Sequence, residues 1–328
     1  MKIKVIGTGS YLPETIVSNE DFTKLVDTSD EWIQTRTGIK ERHISSGEDT
    51  WEAAVKAANN AIDNAGISAE TIDFIIACTI TPDYYLPSLA CIVQWKTGAK
   101  NAFAFDLNAA CSGFIYAFDI ASSLIETGKG KRAMIVCSEF LSKITDYTDR
   151  STCVLFGDGA GAVILEKSDK DGILASFLKS EGEGAKFIAA RALKTVSPFA
   201  KENPELIEGL NKHYVYMDGK EVYKFAIRAM PASIEEVLRL SGVNPSDITY
   251  FLPHQANKRI IDAVAAKYGL DLTKTIINID RYGNTSSACI PIMLDEMNRE
   301  GKLKDGNLLI MTGFGAGLTY GAILFKWN

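Results

Sequence analysis

Long apolar runs are absent from this 328-residue sequence, and with them any stretch long enough to cross a bilayer as a helix. The opening Met1-Lys2-Ile3-Lys4-Val5-Ile6-Gly7 alternates like a strand entering a turn and lacks the apolar core of a secretion signal. Positive charge is scarce too: the net charge is -6 and no block of like charge offsets it, which excludes nucleic acid as a partner. The six cysteines (Cys78, Cys91, Cys111, Cys137, Cys153 and Cys289) form no Cys-x-x-Cys pair, and the three histidines have no metal-ligand spacing. A structural zinc site is thereby excluded, and no other metal is expected. Five of the cysteines lie in apolar segments of the kind found in cores, so a reducing, cytoplasmic compartment is expected. What is present is apolar mass: 46% hydrophobic residues supply a large core in a chain long enough for about two domains.

Cys111 stands where an apolar strand, Ala104-Phe105-Asp106-Leu107, passes through Asn108-Ala109-Ala110 into a helix that is oily on every side, Ser112 to Ile125. Such a helix is expected to be buried with its unpaired N–H groups facing the sulfur, which lowers the thiol pKa and makes Cys111 a nucleophile candidate. A buried cysteine that merely packs is the competing reading.

The sequence also contains itself twice. Residues 61–76 can be laid on 237–252 without a gap, each reading as helix end, glycine cap, polar turn and strand. Phe105-Asp106 through Cys111 matches Ile279-Asp280 through Asn284, and Gly157-Asp158-Gly159-Ala160-Gly161 echoes Gly313-Phe314-Gly315-Ala316-Gly317. Strands alternating with helices predict crossover units and mainly parallel sheets, and their duplication predicts an α/β chain folded as a five-layer α-β-α-β-α sandwich. The halves are 1–171, carrying the cysteine, and 172–328.

Neither glycine segment fits a dinucleotide fingerprint, because the first runs into the strand-like Ala162-Val163-Ile164-Leu165 rather than a helix. Tight turns are the simplest reading of both. The second can also present an N–H that, with the Cys111 amide, forms an oxyanion hole; Ala316 is the residue expected to supply it.

Ligand sites in such sheets gather at strand C-terminal ends. His254 follows the run Ile248 to Pro253, and Asn284 takes the second-half counterpart of the cysteine elbow. Pseudo-twofold symmetry is therefore expected to bring Cys111, His254 and Asn284 to one rim. His43, in a charged segment, and His213, with no strand-end signal, compete poorly.

At these residues the chain resembles the thiolase-like condensing enzymes, and within them the β-ketoacyl-acyl carrier protein synthase III family. Asn108-Ala109-Ala110-Cys111-Ser112-Gly113-Phe114 is similar to the family's nucleophile motif, Pro253-His254-Gln255-Ala256-Asn257 to its histidine motif and Tyr282-Gly283-Asn284-Thr285-Ser286-Ser287-Ala288 to its asparagine motif. The segments 7–13 and 28–39 are similar to the same subfamily. The resemblance implies a thiolase-like fold and a cofactor-free reaction. Cys111 takes an acyl group from acyl-coenzyme A. A malonyl thioester on acyl carrier protein then loses carbon dioxide, with His254 and Asn284 holding the enolate oxygen, and the carbanion attacks the acyl group to initiate fatty acid synthesis. It further implies that Trp32, Arg36 and Arg150 hold the adenine end of coenzyme A, that Phe314 walls the malonyl site, and that Asn257 supports His254. The resemblance likewise implies a docking patch for the carrier at Lys224, Arg228, Lys258 and Arg259, whose competing reading is a solvated charged face. In a homodimer, Leu86 would project across the twofold axis to floor the partner's pocket.

Between Gly182 and Tyr214 the chain reads longer than the corresponding family stretch, and such a loop is expected to border the substrate site. Two rivals fit the same residues. One is a specialised acyltransferase or non-decarboxylative ketosynthase of the same fold, for which a carboxylate base is expected where this chain has Asn284. The other is a silent, carrier-binding partner subunit, against which the intact cysteine, histidine and asparagine argue.

Overall fold

Capping residues and small side chains set the local geometry. The helix over Thr50–Ala65 opens with a reciprocal capping box between Asp49 and Glu52 and stops at Gly66, whose φ of 63° suits glycine. Its buried stripe of Ala53, Ala54, Ala57, Ala58 and Ala61 lets it lie almost on the first strand. A Cβ on Gly9 of that strand would come within 2.3 Å of the Ala57 carbonyl oxygen.

The computed structural model describes residues 1–193, 197–199, 201, 207, 210, 213–270 and 273–328. Its main strands are β1 (Ile3–Tyr11), β2 (Phe74–Cys78), β3 (Phe103–Leu107), β4 (Arg132–Phe140), β5 (Asp158–Lys167), β6 (Ile173–Ser180), β7 (Tyr250–Pro253), β8 (Leu308–Gly315) and β9 (Thr319–Lys326). Its main helices are α1 (Asp30–Thr37), α2 (Thr50–Ala65), α3 (Leu89–Thr97), α4 (Gly113–Glu126), α5 (Gly219–Ser241), α6 (Lys258–Lys267) and α7 (Cys289–Arg299).

One sheet has the order β1-β5-β4-β2-β3 and the other β7-β8-β9-β6. Helices α2 and α3 cover the outer face of the first, α5 and α6 the outer face of the second, and α4 and α7 lie between them. That is the expected five-layer α-β-α-β-α sandwich. Phe114, Phe118, Ile290 and Met293 of the middle layer pack into one apolar cluster with both sheets.

Three expectations need correction. The sheets are mixed rather than mainly parallel: β1 and β4 both run antiparallel to β5, and β9 runs antiparallel to both β8 and β6. The three residues between β8 and β9 are too few for a parallel crossover, so that connection has to be a hairpin.

The first glycine segment is not a turn. Gly159 and Gly161 lie inside β5, where a Cβ on Gly161 would come within 2.8 Å of the Ile292 backbone nitrogen, so glycine there admits α7 against the strand. In the second segment Gly313 and Gly315 likewise belong to β8, and only Gly317 lies in the turn.

The two elbows are also in a different register from the one expected. Short 3-10 turns at Ala110–Ser112 and Ser286–Ala288 each precede a middle-layer helix, and each begins on a non-glycine residue of positive φ, 47° at Ala110 and 51° at Ser286. Ser287 is therefore the counterpart of Cys111, and Asn284 is the counterpart of Asn108. Such backbone costs about 1–3 kcal/mol per residue and persists because packing on both sides holds it.

Candidate active site

The elbow before α4 and the loop after β7 open onto one cavity of about 580 Å³. Cys111, His254, Asn284 and Phe314 line its buried end, while Trp32, Arg36 and Arg259 line its more exposed end. The fold thus brings the three predicted residues together. Among the described residues no cluster suited to a metal ion is present.

His254 leaves the end of β7 with its backbone N–H bonded to the Thr312 carbonyl at 2.8 Å, and its ring is 1% exposed. Burial lowers its pKa to about 3, so the imidazole is neutral. Its Nδ1 lies 3.1 Å from the sulfur of Cys289, and the edge of its ring meets Phe314 with centroids 5.5 Å apart. Burial also pushes the Cys289 thiol up to about 12, so that sulfur keeps its proton and donates it to Nδ1. With the S–H on Nδ1, the tautomer compatible with this contact is the one that carries its proton on Nε2.

The Asn284 side-chain oxygen accepts from the Ser286 N–H at 2.9 Å. That bond fixes which way the amide points and leaves its NH₂ as the group to offer a ligand.

Cys111 departs from expectation. Burial pushes its thiol up to about 12; a Ser286 hydrogen bond at 3.3 Å acts downward, and the nearby charge of Glu139 acts upward again. Desolvation of the sulfur outweighs the pull of the helix end, so the resting group is a thiol. Behind Ser286 lies Glu139, the penultimate residue of β4 and fully buried, which sequence reasoning missed. An acid closing the apolar run Ala133 to Cys137 was its only signal. Ser286 and Cys289 were missed as well, although Ser286 stands inside the asparagine motif.

The outer residues divide. The Trp32 ring carries the guanidinium of Arg150 at 4.9 Å and that of Arg36 at 6.0 Å, an arrangement able to stack a planar base beside positive charge. Asn257 does not bond His254 in the described hydrogen bonds. It caps α6 through the Arg259 N–H and donates to the Arg36 carbonyl at 3.0 Å, which ties α1 to α6. Lys224, Arg228 and Lys258 pair with Glu221, Glu181 and Asp262, while the Arg259 guanidinium lies 5.8 Å from the centre of the Tyr223 ring. Leu86 is 87% exposed and does not line its own chain's cavity. Of the segment after Gly182, Ile188 lines the cavity beside Val215 and Met217; Pro204 and its immediate neighbours lie outside the described residues.

The sequence profile of 3-oxoacyl-[acyl-carrier-protein] synthase III matches residues 105–182, and that of its C-terminal part matches 238–327. The chain is 53% identical over 326 residues to the β-ketoacyl-[acyl-carrier-protein] synthase III of Clostridium acetobutylicum, covering 99% of both. It belongs to the β-ketoacyl-acyl carrier protein synthase III family. The crystal structure of the Aquifex aeolicus synthase III superposes with a TM-score of 0.92 at 46% identity, covering 99% of this chain and 100% of that one. The Pseudomonas aeruginosa synthase III does so with a TM-score of 0.91 at 38% identity, covering 100% and 99%. As a synthase III the chain is an acyl-transferring condensing enzyme.

One cysteine of the synthase besides Cys111 escapes burial. Cys91 is exposed, because α3 turns Leu89, Ala90, Ile92 and Val93 inward and leaves Cys91 on the other face. Brief iodoacetamide treatment followed by peptide mapping is therefore expected to label Cys91 and Cys111. Cys78, Cys137, Cys153 and Cys289, all buried, are expected to stay unmodified until the fold opens.

Proposed function

We propose that this enzyme condenses an acyl-coenzyme A primer with malonyl-acyl carrier protein, with Cys111 as acyl acceptor and His254 and Asn284 as the two donors to the enolate oxygen. The observation that carries the reading is the pair of neutral polar side chains at the buried end of the cavity: His254 is held at Nδ1 by the Cys289 sulfur, which leaves Nε2 free to face a ligand, and the Asn284 oxygen is taken by the Ser286 N–H, which leaves its NH₂ free. Two neutral donors suit an oxygen that gains charge as carbon dioxide leaves. The backbone N–H groups of Cys111 and Ala316, both on the cavity, are the proposed oxyanion hole for acyl transfer. Phe314 then excludes water beside the thioester.

Trp32, Arg36 and Arg150 are the proposed seat of the coenzyme A base and phosphates. The exposed cations Lys224, Arg228 and Arg259, with the half-buried Lys258, are the proposed landing for the acidic carrier. The surface ion pairs of Lys224, Arg228 and Lys258 are weak enough to exchange partners. The two half-chains 1–171 and 172–328 each supply one sheet and one elbow, and the enzyme is assigned to the cytoplasm.

The test is incubation with a panel of acyl-coenzyme A species and mass analysis of the intact protein. One acyl group on Cys111 is expected from at least one short primer. Acylation elsewhere, or none from any primer, would refute the reading.

The enzyme is further proposed to be a homodimer. Strand β3 is one of the two edge strands of its sheet, and Phe103, Trp95, Tyr84, Tyr85 and Leu86 leave large apolar side chains exposed on or near it. Light scattering at micromolar concentration is expected to give twice the chain mass, and a monomer would remove the role of Leu86.

A further inference from the structure

Glu139 is buried at 0% exposure directly behind the nucleophile, and the reaction as described leaves it without a task. Its Oε1 accepts from Ser287 Oγ at 2.6 Å and from Ser286 Oγ at 3.0 Å, and its Oε2 from the Ile80 N–H at 2.9 Å. The same Ser286 hydroxyl lies 3.3 Å from the Cys111 sulfur. A hydroxyl has one hydrogen to give: beside a thiolate it turns to the sulfur, which is the bond that acts downward on the Cys111 thiol, whereas beside the resting thiol it goes to the Glu139 carboxylate and its lone pairs accept the S–H. Cys111, Ser286 and Glu139 therefore form an unbroken chain from a protonated nucleophile to a buried base.

We propose that Glu139 is the proton store of the nucleophile, taking the Cys111 proton through the Ser286 hydroxyl as the acyl group arrives and returning it as the product leaves. In the first half-reaction the S–H bond breaks as sulfur bonds the acyl carbon. The thiol proton passes to Ser286 Oγ while the Ser286 proton passes to Glu139. Coenzyme A departs as its thiolate and is protonated by solvent. In the second, the enolate carbon bonds the acyl carbon, the thioester C–S bond breaks, and the proton runs back from Glu139 through Ser286 to the Cys111 sulfur.

Burial pushes the Glu139 carboxyl up to about 7, a value that lets one group both accept and return a proton near neutral pH. Thiols face it, Cys111 across Ser286 and Cys137 on its own strand, with Cys78 opposite Cys137 on β2. The loop 79–81 and the turn 286–288 offer hydroxyls and backbone N–H groups. Lys143, paired with Asp83, lies against the Phe140 ring. No cation bonds Glu139 in the described contacts.

The inference rests on Cys111 as the acyl acceptor, and two probes keep the readings apart. Rates of Cys111 modification by iodoacetamide and by acetyl-coenzyme A would be measured from pH 5.5 to 9 in the whole enzyme, Glu139→Gln and Ser286→Ala. The intact enzyme is expected to speed up to about pH 7 and then level off as Glu139 ionises. Glu139→Gln is expected to react about a hundredfold more slowly at pH 8, with a rate that climbs with hydroxide and shows no plateau.

A purely electrostatic role gives the opposite sign, because removing the Glu139 charge lowers the thiol pKa and speeds alkylation. Ser286→Ala, which keeps Glu139 and serves if Glu139→Gln does not fold, is expected to lose the plateau as well. Faster or unchanged alkylation in Glu139→Gln, or a retained plateau in Ser286→Ala, overturns the relay. Normal alkylation profiles with no acetylation of the intact enzyme would instead overturn the acyl-acceptor role while leaving the relay standing.

Discussion

Cys111→Ala is expected to accept no acyl group yet to go on releasing carbon dioxide from malonyl-carrier protein, because the proposed roles place acyl capture on the sulfur and enolate stabilisation on His254 and Asn284. The reverse separation is expected from the other two. His254→Ala and Asn284→Ala should still become acylated but lose decarboxylation by roughly a hundredfold or more, the scale of removing one preorganised donor to a developing oxyanion. Carbon dioxide release and intact-protein mass, measured on all three variants, check both halves at once. A neutral histidine whose pKa burial holds near 3 makes the decarboxylation step insensitive to pH between 5 and 8 so far as that ring is concerned, since it gains no proton in that range. If His254→Ala cannot be acylated while decarboxylation survives, the histidine serves Cys111 as a base and the assignment of the donors is wrong.

Gly315→Ala is expected to cost acylation about a hundredfold, the penalty for a displacement near 1 Å at a reacting group. A Cβ at that position would lie 2.6 Å from the Cys111 backbone nitrogen and 3.1 Å from that of Ser112. Both neighbours are backbone and cannot swing aside, so the added methyl has to push the cysteine elbow away from β8. The elbow already holds Ala110 at positive φ and has little freedom to absorb the shift. Single-turnover acylation, read beside far-UV circular dichroism, would separate a displaced nucleophile from a lost fold. Acylation within threefold of the parent would show that the elbow is not held by this contact.

The internal repeat, the elbow of Cys111, the strand-end position of His254 and the motif around Asn284 were all legible in the order of residues. Each is a local pattern: a strand running into a helix, a glycine cap, a polar residue closing an apolar run. The five layers followed from the repeat without coordinates, but its register did not: it set Asn284 opposite Cys111 where the structure sets Ser287, so the nearness of the three residues was legible from the motifs and strand ends rather than from the matching of the elbows.

Local pattern said nothing reliable about the pairing of strands or the fate of a charge. The antiparallel course of β5 and β9 depends on which strands become neighbours, and the glycines of β5 answer to α7, more than a hundred residues away in sequence. The helix end before Ser112 predicted an acidic thiol, whereas the tertiary structure buries that sulfur beside Glu139 and raises its pKa. Desolvation and Coulomb effects are set by everything that surrounds a group, including Glu139 on β4, 28 residues further along the chain, so no window around Cys111 could contain them. The chemistry of each residue type was written in the sequence; which protonation state it holds, and through which hydroxyl it exchanges its proton, was decided only when both sheets closed around the middle layer.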